Sequence, residues 1–237
     1  MGGCGCAALE AWTVMIHIRT KFERPSKELM ERFATLGSAT VHEASGRKGA
    51  MDPAIKPIRR GLRLCGPAFT VQCAPGDNLM LHKALEKAQP GDVLVASVSG
   101  YPEGGYFGGL MAVSAVARQL GGLAIDGCIR DSEEIIAMGF PIFARGFCIR
   151  GTSKAVAGLI NHPTVFGGII VQPGDLILGD DDGLVTIACA EAESVLEKAL
   201  QRVEAEAKKA AQLRSGVSSV ELNTLGKVFE ALGLVEE

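Results

Sequence analysis

The residues best equipped for chemistry are an arginine and an aspartate side by side, in Ile125-Asp-Gly-Cys-Ile-Arg130-Asp131-Ser-Glu-Glu134. A guanidinium grips a carboxylate with paired donors, and a carboxylate suits a hard divalent cation. Together they can bind an anionic substrate and a metal at once. The stretch reads as a strand ending at Gly127 and a helix starting near Asp131, which puts both side chains on the connecting turn. In open α/β sheets, ligands collect on loops at the carboxyl ends of strands. A second reading is open from the residues, and on them alone is the favoured one: Asp131 with Glu134 three positions on matches a capping box, with Asp in place of Ser or Thr.

Pro75-Gly-Asp-Asn-Leu79 is a turn opening a helix. Backbone N–H groups at such a start lack internal partners and carry the positive end of the helix dipole, so they suit a carboxylate. The alternative is that Asp77 or Asn78 caps its own helix. Gly179-Asp-Asp-Asp-Gly183 lacks the alternating ligands and closing glutamate of a calcium loop, and is expected as a hairpin turn with solvated carboxylates. Gly104-Gly-Tyr-Phe-Gly-Gly109 lacks the strand–helix context of a dinucleotide fingerprint and is expected to line a pocket. Of the seven cysteines only Cys4 and Cys6 are closely spaced, and no second pair or histidine cluster completes a zinc site. Scattered thiols fit a reducing, cytoplasmic compartment.

These turns need elements to position them. Leu29, Met30, Phe33 and Leu36 repeat at helical spacing after Ser26, and Ser38 is expected to cap a second short helix through Ser45. Strands are expected at Ala68–Cys73, Val93–Val98, Leu123–Asp126 and Pro141–Ala144. Between them lie helices with Leu81, Ala84, Leu85 and Ala88 on one face, then about Leu110 to Leu120, then Asp131 to Met138. Short β runs follow at Phe166–Val171, Leu176–Leu178 and Leu184–Ile187. A long helix, Ala190 to Leu213, carries the apolar stripe Leu196, Leu200, Val203 and Ala207, and a final helix holds Leu222 to Leu232. The expected organisation is a flexible extension over residues 1–20 and one α/β domain over 21–237, C-terminal helices included.

Composition narrows the function. The 237 residues are 47% hydrophobic and 22% charged, which suits a globular core and excludes wholesale disorder. With 24 basic residues against 27 acidic, nothing draws the chain to nucleic acid, although one local arginine can still hold a small anion. The longest uncharged stretch, Ala155 to Gly174, contains Asn161, His162, Pro163, Gln172 and Pro173. A membrane span needs ~20 mostly apolar residues, so none is expected. The N-terminus lacks the basic-then-apolar order of a secretory signal.

The spacing Gly109, twenty residues, Arg130-Asp131, two residues, Glu134 resembles the signature of the RraA-like family. That family includes the class II pyruvate aldolases acting on 4-hydroxy-4-methyl-2-oxoglutarate and 4-carboxy-4-hydroxy-2-oxoadipate. Gly76-Asp-Asn-Leu-Met-Leu-His, Pro90-Gly-Asp-Val-Leu-Val, Ala124-Ile-Asp-Gly, Met138-Gly-Phe-Pro-Ile-Phe-Ala-Arg-Gly and Pro173-Gly-Asp-Leu-Ile-Leu resemble its segments in order. The resemblance implies a swivelling β/β/α sandwich, assembled as homotrimers or hexamers with active sites between subunits. It implies Mg²⁺ or Mn²⁺ on Asp131, Arg130 on the keto acid, and its carboxylate on the amides of Gly76, Asp77, Asn78 and Leu79. A glutamate from a neighbouring subunit's C-terminal helix completes the site, and Glu206, beside Glu204, is the matching position. The implied activity is release of pyruvate by retro-aldol cleavage, as in aromatic compound catabolism, or by oxaloacetate decarboxylation. No lysine stands at an obvious Schiff-base position, so a metal is expected to serve as Lewis acid. The aldolases usually carry Asp where Gly109 stands, which favours decarboxylation here, because that reaction needs no base for a 4-hydroxyl. The competing expectation is a non-catalytic RraA-type regulator that binds a ribonuclease.

Overall fold

The computed structural model describes residues 17–235. The chain enters on β1 (His17–Ile18), followed by α1 (Lys27–Phe33), α2 (Ser38–Ala44) and β2 (Lys56–Pro57). Strands and helices then alternate: β3 (Leu64–Gln72), α3 (Leu79–Lys87), β4 (Val93–Ser97), α4 (Gly109–Ala117), β5 (Gly122–Ile125), β6 (Cys128–Ile129), α5 (Ser132–Met138) and β7 (Ile142–Ala144). Short strands β8 (Gly146–Phe147), β9 (Leu159–Ile160), β10 (Thr164–Phe166), β11 (Ile169–Val171), β12 (Leu176–Asp180) and β13 (Gly183–Ile187) lead to helices α6 (Ala192–Arg214), α7 (Ser219–Leu222) and α8 (Gly226–Ala231).

Alternation along the strands decides the layers. Phe69, Val71, Leu94, Ala96, Leu123 and Ile125 face one side of the sheet, and Ala68, Val93, Val95 and Ala124 face the other. Apolar side chains on both faces are the pattern of parallel strands buried between two layers. Helices α3, α4 and α5 cover the first face through Leu81, Leu85, Ala112, Ala115 and Ile135. The second face meets Phe166, Val171, Ile177 and Leu184 from the β10–β11 and β12–β13 hairpins. The result is the expected β/β/α sandwich. Strands run in the order β1-β9-β3-β4-β5-β7-β2, with β12 and β13 continuing from β3. Because β3, β4, β5 and β7 are parallel, the loops that follow them emerge at one edge.

Several details differ from the expectations. The run Phe166–Val171 is a hairpin rather than one strand, turning at Gly167 and Gly168, whose φ values of +56° and +83° favour glycine. Ser38 does not cap α2; Gly37 holds that position, while Ser38 donates from its backbone N–H (2.7 Å) and hydroxyl (2.6 Å) to Asp180. The aspartates after Gly179 do form a hairpin turn, and they also clamp the fold: Asp181 accepts from Gly61 N–H, and the Asp182 carbonyl from Lys56. Of the extension expected over residues 1–20, residues 1–16 lie outside the described residues, Cys4 and Cys6 among them. His17–Ile18 pairs in parallel with β9, and Arg19 N–H donates to the Ile160 carbonyl. Among the described residues no helix is long and apolar enough to cross a membrane.

Candidate active site

The turn between β6 and α5 has an uncommon backbone. Asp131 occupies the N-cap position of α5 in the left-handed conformation, φ 58° and ψ 39°, and its side chain makes no hydrogen bond to its own helix. A left-handed aspartate costs roughly 1–2 kcal/mol, and such strain gathers at functional sites. The capping-box reading therefore fails. Asp131 Oδ2 instead accepts the Gly109 N–H at 3.0 Å, across the mouth of α4, and lies 3.7 Å from Arg130 Nε. Arg130 is anchored by its backbone N–H on the Phe107 carbonyl at 3.0 Å, leaving the guanidinium nearly half exposed.

Three glycines make room for these groups. A Cβ at Gly105 would stand 2.9 Å from Arg130 Cβ, and one at Gly108 would stand 2.6 Å from Asp131 Oδ2. A Cβ at Gly109 would collide with Glu134 Oε2. Glu134 thus lays its carboxylate over the place where a side chain at position 109 would begin.

A cavity of about 260 Å³ opens here. Arg130 and Asp131 line it together with Gly105, Tyr106, Gly108, Leu110 and Met111 from the loop after β4 and the start of α4. Asn78 and His82 come from α3 and its cap, and Gly151, Thr152 and Lys154 from the segment between β8 and β9. The loop after β4 is held from below by buried Asp126, which accepts from Ser97 Oγ, Val98 N–H and Gly100 N–H. Burial pushes the Asp126 carboxyl up, against the pull of those donors. Partial burial, with Lys154 nearby, pushes the His82 imidazole down.

The turn at Gly76–Leu79, expected to form an amide cradle, is different. All four N–H groups are spent inside the fold: Gly76 on Tyr106 Oη (2.7 Å), Asp77 on the Ala74 carbonyl, Asn78 on the Ser153 carbonyl, and Leu79 on Asp77 Oδ1 (2.8 Å). Buried Asp77 also accepts from Ser153 Oγ, Ala155 N–H and Val156 N–H. Burial alone would raise its carboxyl, yet these donors bring it down to about 2. Asn78 is the member of this set that reaches the cavity, with its amide nitrogen fixed on the Tyr106 carbonyl at 2.8 Å.

With this geometry in view, comparison with known proteins is decisive for kinship. The sequence profile described as "RraA-like: Aldolase/RraA" matches residues 33–204. The chain belongs to the RraA-like family. A relative from Halalkalibacterium halodurans that carries a provisional 4-hydroxy-4-methyl-2-oxoglutarate aldolase name is 37% identical over 175 residues, 74% of this chain and 83% of its own. An uncharacterized Pseudomonas syringae protein of known structure superposes with a TM-score of 0.78 at 27% identity, covering 86% of this chain and 96% of its own. Streptomyces coelicolor RraAS2, described as an unusual member of the RNase ES inhibitor RraA family, gives a TM-score of 0.73 at 28% identity, over 80% and 99%.

Glu206 of this RraA-like chain is expected to complete a neighbouring subunit's site rather than its own. Glu206 lies on α6, paired with Arg202 at 2.8 Å, and does not line the cavity of its own chain; α6 packs against α1, α2 and the β12–β13 layer. The Gly104–Gly109 loop lines the cavity as expected, through Gly105, Tyr106 and Gly108, whereas His82, Thr152 and Lys154 line it without having been singled out from the sequence. Lys154 is the notable omission, since no lysine was expected there. Its approach follows from the Asp77 contacts with Ser153 and Ala155, a long-range pairing that no local pattern announces.

Proposed function

We propose that the chain is a divalent-metal-dependent carbon–carbon lyase that releases pyruvate from a small 2-oxo acid with a further carboxylate. The substrates are of the 4-hydroxy-4-methyl-2-oxoglutarate or 4-carboxy-4-hydroxy-2-oxoadipate type for retro-aldol cleavage, and oxaloacetate for decarboxylation. The observation that carries this reading is Asp131, held left-handed, uncapping and exposed beside Arg130 in the cavity. The provisional name of the 37%-identical relative supports the same chemistry.

The donor set fits a hard cation. Asp131 lines the cavity and accepts from Gly109 N–H, and the Glu134 carboxylate lies against Gly109. Mg²⁺ and Mn²⁺ are held through one or two carboxylates with water filling the remaining positions. Such an ion, when bound, withdraws electrons from the 2-keto oxygen. Arg130 holds the keto acid and places a positive charge where negative charge develops as the C3–C4 bond breaks; loss of one such group typically costs ~10²–10³ in rate. Lys154 and Thr152, which also line the cavity, would take the distal carboxylate. Glu134, against Gly109, would supply the second carboxylate that Gly109 cannot.

Assembly follows the same reading. Leu110, Val113 and Ile149 lie exposed around the cavity, and Val203 and Leu213 lie exposed on α6. A second copy covering these faces, in a homotrimer or a hexamer of two trimers, would bring Glu206 of one chain toward the cavity of the next. Light scattering coupled to size exclusion tests the assembly.

The test of activity is pyruvate release from oxaloacetate and from 4-hydroxy-4-methyl-2-oxoglutarate with Mg²⁺, against EDTA and a metal-only blank. Borohydride is included because Lys154 could trap a carbonyl as a Schiff base. Enzyme-dependent release that EDTA removes and borohydride leaves intact is the expected result. The kinship with RraAS2 favours a second reading, a ribonuclease-binding regulator. No release above the blank, together with capture of a ribonuclease, would put that reading first.

A further inference from the structure

Retro-aldol cleavage needs a group to take the proton of the 4-hydroxyl and, afterwards, a proton for C3 of the pyruvyl fragment. The side chains facing the cavity limit the choice. Arg130 and Lys154 are donors only. Asp131 already accepts from Gly109 N–H and is the cation's place in the reading above. The buried Tyr106 hydroxyl is engaged by Gly76 N–H, and burial raises its phenol. His82 is left. It stands four residues after Asn78, so both project from one face of α3 into the cavity. α3 follows β3 and the Arg130–Asp131 turn follows β5, with β4 between them in the sheet, so the two form separate walls. His82 also lines an outer groove shared with Leu85, Ser114 and Arg118, which gives its ring an edge toward solvent.

We propose that His82 is the acid–base residue of this site, resting on the lyase reading above: its imidazole takes the 4-hydroxyl proton as the C3–C4 bond breaks and returns it to C3. The balance closes without a co-reactant. The O–H bond breaks, its pair forms the C4 carbonyl, and the C3–C4 pair enters the C2–C3 bond of the enolate. The imidazolium then protonates C3, giving pyruvate, a second oxo acid and the original imidazole. A base must be neutral to act, and the surroundings keep this one so. Partial burial and the Lys154 ammonium hold its pKa below the ordinary 6.5. On the groove side, Glu86 is taken up by Lys83 (2.7 Å) and Lys87 (2.8 Å), and Arg118 rests on the Glu86 carbonyl, so no free carboxylate there restores the charged form. Decarboxylation of oxaloacetate removes no hydroxyl proton, and solvent can complete it.

The test is His82→Gln, which keeps a hydrogen-bonding side chain but neither takes up nor releases a proton. Retro-aldol turnover is expected to fall ~10²-fold more than oxaloacetate decarboxylation, in the range usual for losing a general base. The wild-type kcat/KM for cleavage should rise with pH through an ionisation below 6.5, and the variant should lose that limb. Independently of turnover, oxalate with Mg²⁺, a stand-in for the enolate, should shift the His82 ring signals in an NMR titration. Equal losses in both reactions, or an unchanged pH limb, would overturn the inference. So would a His82 signal indifferent to oxalate, even in an inactive protein. A wild type that releases no pyruvate while oxalate still shifts His82 would instead sink the lyase reading.

Discussion

Two turns at the same edge of the sheet look alike in sequence and behave oppositely. Gly76–Leu79 and Arg130–Asp131 each leave a strand, carry an aspartate and open a helix. At the first, Asp77 is buried and takes four hydrogen bonds, from Leu79, Ser153, Ala155 and Val156. At the second, Asp131 is exposed, uncapping and left-handed, and takes its hydrogen bond from Gly109, twenty-two residues away. A carboxylate surrounded by donors of its own fold is structural. One held in strain and left facing a cavity is available for a ligand.

Substitution should separate the two turns. Arg130→Ala should lower pyruvate release by ~10²–10³-fold while leaving the melting temperature close to that of the wild type, as steady-state assays and a thermal scan would show. Asp77→Ala should do the reverse. Leaving Leu79, Ala155 and Val156 N–H groups without their acceptor costs about 3 kcal/mol, or roughly 6–12 °C in a chain of this size. The pH dependence has a definite sign. Asp77 has a folded pKa of about 2 against an ordinary 3.8, so its contribution is complete above pH 4 and is lost as pH falls toward 2. Urea titrations at several pH values should show that loss in the wild type and not in Asp77→Ala.

Smaller effects sharpen the contrast. Gly109→Ala puts a methyl where Glu134 Oε2 lies, and the flexible end of Glu134 can move aside. Stability should change by less than ~1 kcal/mol, whereas activity should fall about tenfold, since ångström-scale misplacement of a catalytic group costs up to ~10². Tyr106→Phe removes the acceptor of Gly76 N–H at the point where the two turns meet. A loss of about 1 kcal/mol is expected, read as a shift in the urea midpoint.

Periodicity made the strands and α3 legible: Phe69 and Val71 against Ala68, and Leu81, Ala84, Leu85 and Ala88 on one face, stand in the core as the pattern required. The spacing from Gly109 to Arg130 and Glu134 likewise brought three neighbours to one point. What stayed hidden was the use of each polar group. Pro75-Gly-Asp-Asn-Leu reads as an anion-binding helix start until Tyr106 and Ser153, far along the chain, take up its N–H groups. Asp131 reads as a cap until its backbone proves left-handed. Lys154 reads as one of many surface lysines until Asp77 draws its neighbours inward. Long-range hydrogen bonds decide all three, and local sequence carries no record of them.

The most direct measurement is isothermal titration of Mg²⁺ and oxalate into the wild type, Asp131→Ala and Asp77→Asn, with circular dichroism confirming that each is folded. The account requires binding in the wild type and in folded Asp77→Asn, and its loss in Asp131→Ala. Binding that survives in Asp131→Ala, or disappears in a folded Asp77→Asn, would place the site at the other turn and contradict the account.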